Sequence, residues 1–542
     1  MPSTRPASSL LLLSGSMLSG ILLGVGTPGY PTQFLGLLAI PGLLIVLEQL
    51  PQNLSKGQQA RYSFGLCWLT GGIGALIAAH WITNSVHVFG NLPFPVALAI
   101  TGVGYGLEVG VLLWVAFAAP RLLFPDQSSR DVPLRLLWAV GADAFWPRLI
   151  HWNLGALPLS GIPLLEQSAA LLGSSGMGLF SFGFAFVLLQ AWRLRNGLIS
   201  RAVLQRVLWG VTLLWGAGFG YGVWTLQGGP PKQPPSRALQ VVAIQPNFSL
   251  QALASNPELA YSDREANLRA LLEDSRMGLT RTSSDAPRLL VWPESVFPGA
   301  FFQDATLRGE VRAFLQEHPT HLLLTSVDWE REGDRWQFYG ISTLLNPEGQ
   351  ELGRYRKIFL IPFGETIPLS SWFPKWAAWL REQIPNMSEF VAGEEFTTFP
   401  ITEGWVSAPI CFDVFAPQTI REMVRNGAQL VVNPSNLAWF GKSTASDNME
   451  AVLRWRAIEN RVPVLFASNN GRTVFLGADG QPQSERLELF MPGVLVHQLV
   501  LESRSSFSRD FPEALAGVWG IGLLLAFWSL RSGSKRSARR SR

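Results

Sequence analysis

The apolar residues of this chain are gathered into long runs within its first 226 residues and its last 30, rather than spread evenly along it. A helix crossing the hydrocarbon core of a bilayer needs roughly 20 apolar residues. Runs of that kind fall at about 9–27, 33–50, 62–83, 94–118, 134–151, 168–191, 207–226 and 514–530. The first is too long and too poorly ended for a cleavable signal peptide, so it reads as a retained anchor. Between the seventh and eighth runs, from about 237 to 511, the residues have the mixed charge of an ordinary soluble domain. That stretch is long enough to bury a core of its own.

Loop charge sets the expected topology. Lys56 and Arg61 lie between the second and third runs, Arg121, Arg130 and Arg135 between the fourth and fifth, and Arg193, Arg195, Arg201 and Arg206 between the sixth and seventh. The loops on the other side, near 27–32, 84–95 and 153–166, hold almost no Lys or Arg. Basic loops stay in the cytoplasm. An even number of crossings must therefore separate the second basic cluster from the third. The fifth run is needed as a span, although it carries Asp143 and Arg148 and is interrupted by Pro147. With the N-terminus inside, seven crossings put the soluble domain outside, on the periplasmic face of a bacterial inner membrane. The eighth returns the basic tail 531–542 to the cytoplasm. The net charge of +4 sits in these loops and the tail, which argues against nucleic acid as a partner. Glu108 and Asp143 are expected either to pair locally or to line a path, since an unpaired charge in lipid costs several kcal/mol. Residues 228–236, GGPPKQPPS, cannot hold a helix and read as a linker.

Within the soluble stretch, short β-branched strands are expected at Leu239–Ile244, Leu289–Trp292, Leu322–Ser326, Ser342–Leu345, Val406–Ile410, Leu430–Val432 and Val464–Ala467. Helical patterns at Arg264–Met277 and Pro417–Arg425 alternate with them, and NPEGQ (346–350) and ADGQ (478–481) signal hairpins. Such alternation implies a layered α/β sandwich with a mixed sheet. Gly-rich phosphate loops are absent, so nucleotide chemistry has no support.

Three side chains are candidates for chemistry, two where strands of this kind end and one where an apolar run opens. Cys411, one of two cysteines, follows the apolar strand VSAPI and precedes the helix PQTIREMVRNG. A helix N-terminus nearby would favour the thiolate. Inert core packing is the competing reading for a thiol in a sheet. Glu294 follows the buried strand LLVW and is placed for desolvation into a general base, or else is a solvated loop acid. Lys357, in GRYRKIFLIPFGE, has the charge to hold an oxyanion, although Arg354 and Arg356 beside it also fit a solvated edge. His318 and His321 are split by Pro319 and have no thiol or acidic set near them, and the remaining cysteine, Cys67, lies in an apolar run. A disulfide, a metal site or a Cys–His dyad through His497 is accordingly disfavoured.

Together, WPES, YRK and PICFD resemble the nitrilase superfamily, whose triad is Glu, Lys and Cys in that chain order. The membrane frame narrows the resemblance to apolipoprotein N-acyltransferases, as do LIPFGE with Glu365, AWFG at Ala438–Gly441, RWRAIENRVP and SNNGRT. It spans nearly the whole chain and is weakest in the first four runs. It implies a polytopic α-helical membrane domain of about eight spans carrying a nitrilase-like αββα sandwich. The implied boundaries are 1–227, a linker at 228–236, 237–511, a last helix at 512–530 and a tail at 531–542. It implies no cofactor or metal, a phospholipid acyl donor and diacylglyceryl-modified apolipoproteins as acceptors. Cys411 would carry the acyl group as a thioester in ping-pong fashion, Glu294 would be the base and Lys357 would stabilise the oxyanion. Glu365 would orient the site, with Phe412, Asp413, Asn436 and Trp439 in support. The chain departs from the family where Phe412 and Asp413 replace Tyr-Glu, where Leu437 replaces Asp after Asn436, and where no Lys-Trp follows Gln245–Asn247. Positioning, and not the triad, is what these changes touch.

The same triad with water as acceptor would make a membrane-tethered amidase or nitrilase-like hydrolase, and a degenerate domain would make a transporter or scaffold. The insert SSWFPKWAAWL, with Trp372, Phe373, Trp376 and Trp379, has amphipathic spacing suited to a lid in the membrane interface. Core packing is its competing explanation.

Overall fold

The computed structural model describes residues 8–51, 53–123, 132–228, 238–249, 257–283, 286–296, 300–333, 335–383, 390–501 and 504–540. The chain divides into two compact units. One comprises Met1–Thr83, Pro93–Gly229 and Asp510–Arg542, and the other Asn84–Leu92 and Pro230–Arg509.

The first unit is helical. Two helices, Phe94–Leu123 and Arg201–Leu226, are each long and apolar enough to cross a membrane. Two bent pairs join them if each counts as one span: Lys56–Ala78 with His80–Val88, bent by 68°, and Ala169–Gly176 with Gly178–Arg195, bent by 64°. Ser9–Val25, Gln33–Glu48 and Pro512–Trp528 are shorter apolar helices. Small residues let the helices approach closely. A Cβ on Gly71 would lie 2.6 Å from the backbone nitrogen of Gly110, and one on Gly24 would lie 2.4 Å from Ile77.

The fifth run is shorter than its hydropathy suggests. Its helix, Val132–Phe145, has 14 residues. At 1.5 Å per residue it reaches about 21 Å, less than the ~30 Å of a hydrocarbon core. It stops before Pro147, whose ring and missing N–H cannot continue a helix. The irregular stretch that follows folds back onto Asp143. Arg148 pairs with its carboxylate at 2.5 Å, and the backbone N–H groups of Leu154 and Gly155 donate to it at 3.1 Å each. Glu108 accepts the N–H of Leu149 at 3.2 Å. Asp143 is thus paired locally, while Glu108 lines a cavity with Arg148. The final helix runs on from Pro512 to Arg540, through most of the segment read as a tail. The linker at 228–236 lies outside the described residues except for Gly228.

The second unit is a two-sheet sandwich. Its strands are β1 (Ala238–Gln245), β2 (Arg288–Val291), β3 (His321–Glu332), β4 (Arg335–Leu345) and β5 (Glu351–Arg356). There follow β6 (Phe399–Ile401), β7 (Gly404–Ser407), β8 (Leu430–Ser435), β9 (Val464–Ser468), β10 (Val474–Leu476) and β11 (Gly493–Val500). One sheet has the order β11-β1-β2-β3-β4-β5 and the other β10-β9-β8-β7-β6. The parallel pairs are central in both: β1 with β2 and β2 with β3, then β7 with β8 and β8 with β9. Parallel strands need both faces covered. Accordingly Val241, Val242, Ala243 and Ile244 are all inaccessible. Leu268 and Leu271 of the helix Pro257–Leu279, with Val311 and Phe314 of Ala305–Glu317, pack against Val242, Ile244 and Leu290. The helices Pro417–Arg425 and Ala445–Asn460 accompany the second sheet.

All seven expected strands exist, but the one leading to the cysteine ends early. β7 stops at Ser407 rather than Ile410, because residues 408–410 leave the ladder to be held by side chains. The Ser342 hydroxyl donates to the carbonyl of Ala408 at 2.7 Å, and Asn433 Nδ2 donates to that of Pro409 at 2.9 Å. NPEGQ turns between β4 and β5 as expected. ADGQ turns as well, but only an isolated bridge, Leu476 to Pro482, flanks it.

Candidate active site

Chain direction brings three loops to one end of the sandwich. Glu294 lies three residues beyond β2, Lys357 directly after β5, and Cys411 four residues beyond β7. Ends of parallel strands are where α/β folds gather chemistry. The backbone at these points is held in conformations that L-residues rarely adopt. φ is +48° at Cys411 itself, +56° at Ser295 beside Glu294, and +63° at Phe363 two residues before Glu365. Left-handed non-glycine residues cost energy and persist only where surrounding contacts enforce them.

At Cys411 the enforcing contacts come from Asp413. This carboxylate is wholly buried and accepts three hydrogen bonds: from the Tyr355 hydroxyl at 2.8 Å, the N–H of Phe359 at 2.7 Å and the N–H of Ile410 at 2.8 Å. It ties the turn Cys411–Phe415 to the end of β5 and the loop after it. Asn433 Nδ2 adds a bond to the Cys411 carbonyl at 3.1 Å. The shorter acid at 413 thus reaches its partners from within the turn. Phe412, with no hydroxyl to satisfy, packs its ring 4.7 Å from Phe415 and 5.5 Å from Phe440.

Lys357 is buried with its ammonium between two carboxylates. Nζ lies 2.7 Å from Glu365 Oε1 and 3.8 Å from Glu294 Oε1. Its backbone is anchored on both sides, with its N–H donating to Gly340 at 2.9 Å and its carbonyl accepting from Gly393 at 2.8 Å. Glu365 is fixed by the N–H of Ile361, which donates to Oε2 at 2.8 Å. Glu294 takes the N–H of Asn436 on Oε2 at 2.9 Å, and the Cys411 thiol is close enough to share its electrostatics. Four groups are therefore gathered here: the thiol, Glu294, Lys357 and Glu365.

The electrostatics follow from burial and from this grouping. Burial raises the pKa of Glu294 above the usual carboxylate value. The Lys357 charge opposes that rise, and the Glu365 charge adds to it. For Lys357, burial favours the neutral amine, but Glu365 and Glu294 outweigh it and hold the ammonium charged. Burial pushes the Cys411 thiol well up, and the Glu294 charge pushes it further than Lys357 pulls it back. The expected help from a helix N-terminus is missing. The turn Cys411–Phe415 intervenes, and the helix Pro417–Arg425 starts only six residues on. A resting thiol beside a carboxylate base is the result. Burial raises Asp413 to about 6, against the pull of Lys357 and its hydrogen-bond donors.

The remaining expected site residues fall around this core. Asn436 is buried and contributes its backbone N–H, while its side-chain oxygen accepts the N–H of Ala438 at 3.1 Å. Leu437, where an acid was missed, is buried and gives its N–H to Asn470 at 3.2 Å. Trp439 sits on the turn Ala438–Phe440, partly exposed. Gln245 is structural: its amide donates to the carbonyls of Glu488 and Met491 and accepts from Thr473. Tyr355, Asn433 and Ser342 escaped the sequence reading. Only Tyr355 had a signal, as the tyrosine of YRK. His318 ends the helix Ala305–Glu317 and His321 opens β3, and among the described residues no group of three or more His, Cys, Asp or Glu is gathered to hold a metal.

Two family models match this chain: the apolipoprotein N-acyltransferase N-terminal domain over residues 19–187 and the carbon-nitrogen hydrolase over residues 247–508. Relatives named apolipoprotein N-acyltransferase match along most of its length. The one from Geobacter metallireducens is 28% identical over 92% of each chain. That from Bdellovibrio bacteriovorus is 27% identical over 86% of this chain and 84% of the relative, and that from Chlorobaculum tepidum 24% identical over 94% and 95%. Among solved structures, Saccharomyces cerevisiae Nit3, a nitrilase-superfamily member, is 18% identical with a TM-score of 0.37, covering 52% of this chain and 95% of its own. An amidase from Nesterenkonia sp. is 20% identical with a TM-score of 0.37, covering 53% and 97%. The carbon-nitrogen hydrolase match and the two-sheet topology make the second unit nitrilase-like.

Proposed function

The chain belongs to the apolipoprotein N-acyltransferase family, and from that premise we propose that it moves an acyl chain from a membrane phospholipid to the α-amine of an N-terminal diacylglyceryl-cysteine. The observation that carries this reading is the grouping of Cys411, Glu294, Lys357 and Glu365 at the end of the sandwich.

In the first half-reaction Glu294 takes the thiol proton as Sγ attacks the ester carbonyl. Because the thiol is held protonated at rest, proton removal and attack go together. Lys357 stabilises the negative charge that develops on the carbonyl oxygen. The C–O bond breaks, Glu294 returns the proton to the departing lysophospholipid oxygen, and the acyl group stays on Cys411 as a thioester. In the second half-reaction the lipoprotein amine attacks the thioester and gives its proton to Glu294. The new amide leaves, and the proton restores the thiol. Glu365, at 2.7 Å, keeps Lys357 charged and oriented through both halves.

A lipid rather than a water-soluble substrate is favoured by the insert around the helix Pro374–Gln383. Trp372 is 78% exposed, and Phe373 and Trp379 are each 55% exposed. Aromatic surface of this kind is suited to the bilayer interface. In this reading the chain is a multi-pass enzyme of the bacterial inner membrane. Residues 1–227 supply seven crossings, 237–511 form the periplasmic catalytic domain after the linker 228–236, and 512–530 cross back to a cytoplasmic tail at 531–542. The test is transfer in vitro, with purified protein, phospholipid and a diacylglyceryl-cysteine peptide. The peptide gains one acyl chain by mass. A peptide that stays unmodified while the phospholipid is hydrolysed would replace the transferase by a hydrolase.

A further inference from the structure

The segment Asn84–Leu92, the second half of the helix His80–Val88 with the loop after it, is part of the catalytic unit although the chain on either side belongs to the helical one. Its contacts concentrate on one residue. Ser85 Oγ donates to the Trp439 carbonyl at 2.8 Å, and Asn84 Nδ2 donates to the same oxygen at 3.2 Å. The ring of Phe89 meets the Trp439 ring edge-on at 4.6 Å. Gly441, two residues on, has φ +61°, and a Cβ there would lie 3.1 Å from the Asn84 amide. The fit between segment and turn is therefore close on three sides.

The turn so held is the one that completes the site. Asn436, three residues before Trp439, gives its backbone N–H to Glu294 at 2.9 Å. The Asn436 side-chain oxygen accepts from Ala438 within the same turn. Phe440, the next residue, packs on Phe412 beside the nucleophile. We infer that Ser85 and Asn84 are positioning residues for the acyl transfer: by holding the Trp439 carbonyl they fix the turn Ala438–Phe440 and, through it, Asn436 two residues before, whose N–H orients the Glu294 base. Glu294 is otherwise met by the Cys411 thiol, Lys357 and Glu365. None of these comes from the turn, so the Asn436 N–H is its contribution to the base. This inference rests on the thioester reading above.

The experiment follows acylation of Cys411 by phospholipid as a function of pH in the full-length protein, for wild type, Ser85→Ala, the double variant N84A/S85A and Ser85→Thr. Releasing the turn loosens the N–H that favours the Glu294 carboxylate. Its protonation then moves to higher pH, and the acidic limb of the profile moves up with it. Displacing a catalytic group by a fraction of an ångström to 1 Å costs up to about 100-fold. The double variant is expected to lose about 10-fold in the maximal acylation rate, with the apparent KM for phospholipid within about twofold. Ser85→Thr, which keeps the hydroxyl, is expected to recover most of the rate. A double variant with an unchanged acidic limb and a rate within about twofold of wild type would overturn the inference. So would a rate loss that merely tracks the loss of folded protein, measured by thermal unfolding. If wild type itself forms no acyl-enzyme, the thioester reading fails instead.

Discussion

Both units bury charge, and they do it differently. In the helical unit Asp143 has one cation, Arg148, at 2.5 Å, and its remaining capacity is taken by the N–H groups of Leu154 and Gly155. In the catalytic unit Lys357 serves two carboxylates at unequal distances, 2.7 Å and 3.8 Å, and the second of them also faces the thiol. The first cluster is closed around its carboxylate. The second has one more negative group than it has cations, and a proton moving from thiol to Glu294 shifts that excess onto sulfur, where an acyl carbonyl can take it up. Buried ions must be paired to be tolerated. Where the pairing is left incomplete, the imbalance is available for chemistry.

Substitutions can break this contrast from either side. The largest effect is expected at the open cluster, where Cys411→Ala removes the acyl carrier and transfer falls by at least ~10⁴-fold in the peptide assay. Glu294→Gln keeps the shape but not the base, and should cost ~10²–10⁴-fold in the rate of acyl-enzyme formation with the fold intact by circular dichroism. The closed cluster should answer in stability instead. Asp143→Ala leaves Arg148 buried without its carboxylate and should cost about 3–5 kcal/mol by thermal or denaturant unfolding, with the pH dependence of the surviving protein unchanged. An altered pH profile in that variant would mean the two clusters are not separate. Among the smaller effects, Tyr355→Phe removes one of three donors to Asp413 and should cost about 1.5–3 kcal/mol of stability. Finally, because burial raises Glu294, wild-type acylation should be lost on acidification at a pH above the usual 4.5 of a glutamate, and regained on returning to neutrality. A limb at or below 4.5 would place the base elsewhere.

Glu294 and Cys411 follow hydrophobic runs that stop, which the sequence shows, whereas Lys357 follows the largely exposed strand β5 and is marked only by its motif. The pairing of Lys357 with Glu365 could be placed in one loop but not given a distance, since the turn at Pro362–Thr366 depends on the left-handed Phe363. The partners of Asp413 could not be read from its place in the chain. Its role depends on Tyr355 and Phe359, which lie more than 50 residues earlier and come close only once the two sheets pack. Residues Asn84 and Ser85 carried no signal, because nothing in an apolar helix and its short loop announces a contact some 350 residues away. For the fifth apolar run it is the length of the helix that the sequence overstates. Hydropathy and loop charge asked for a full span, and Pro147 ended the helix at Phe145.

Intact-protein mass spectrometry after incubation with phospholipid tests the central claim most directly. The account predicts that wild type gains the mass of one acyl chain, that hydroxylamine or a diacylglyceryl-cysteine peptide removes it, and that Cys411→Ala never acquires it. An acyl adduct that persists on Cys411→Ala, or one that water discharges from wild type as fast as the peptide amine does, would contradict it.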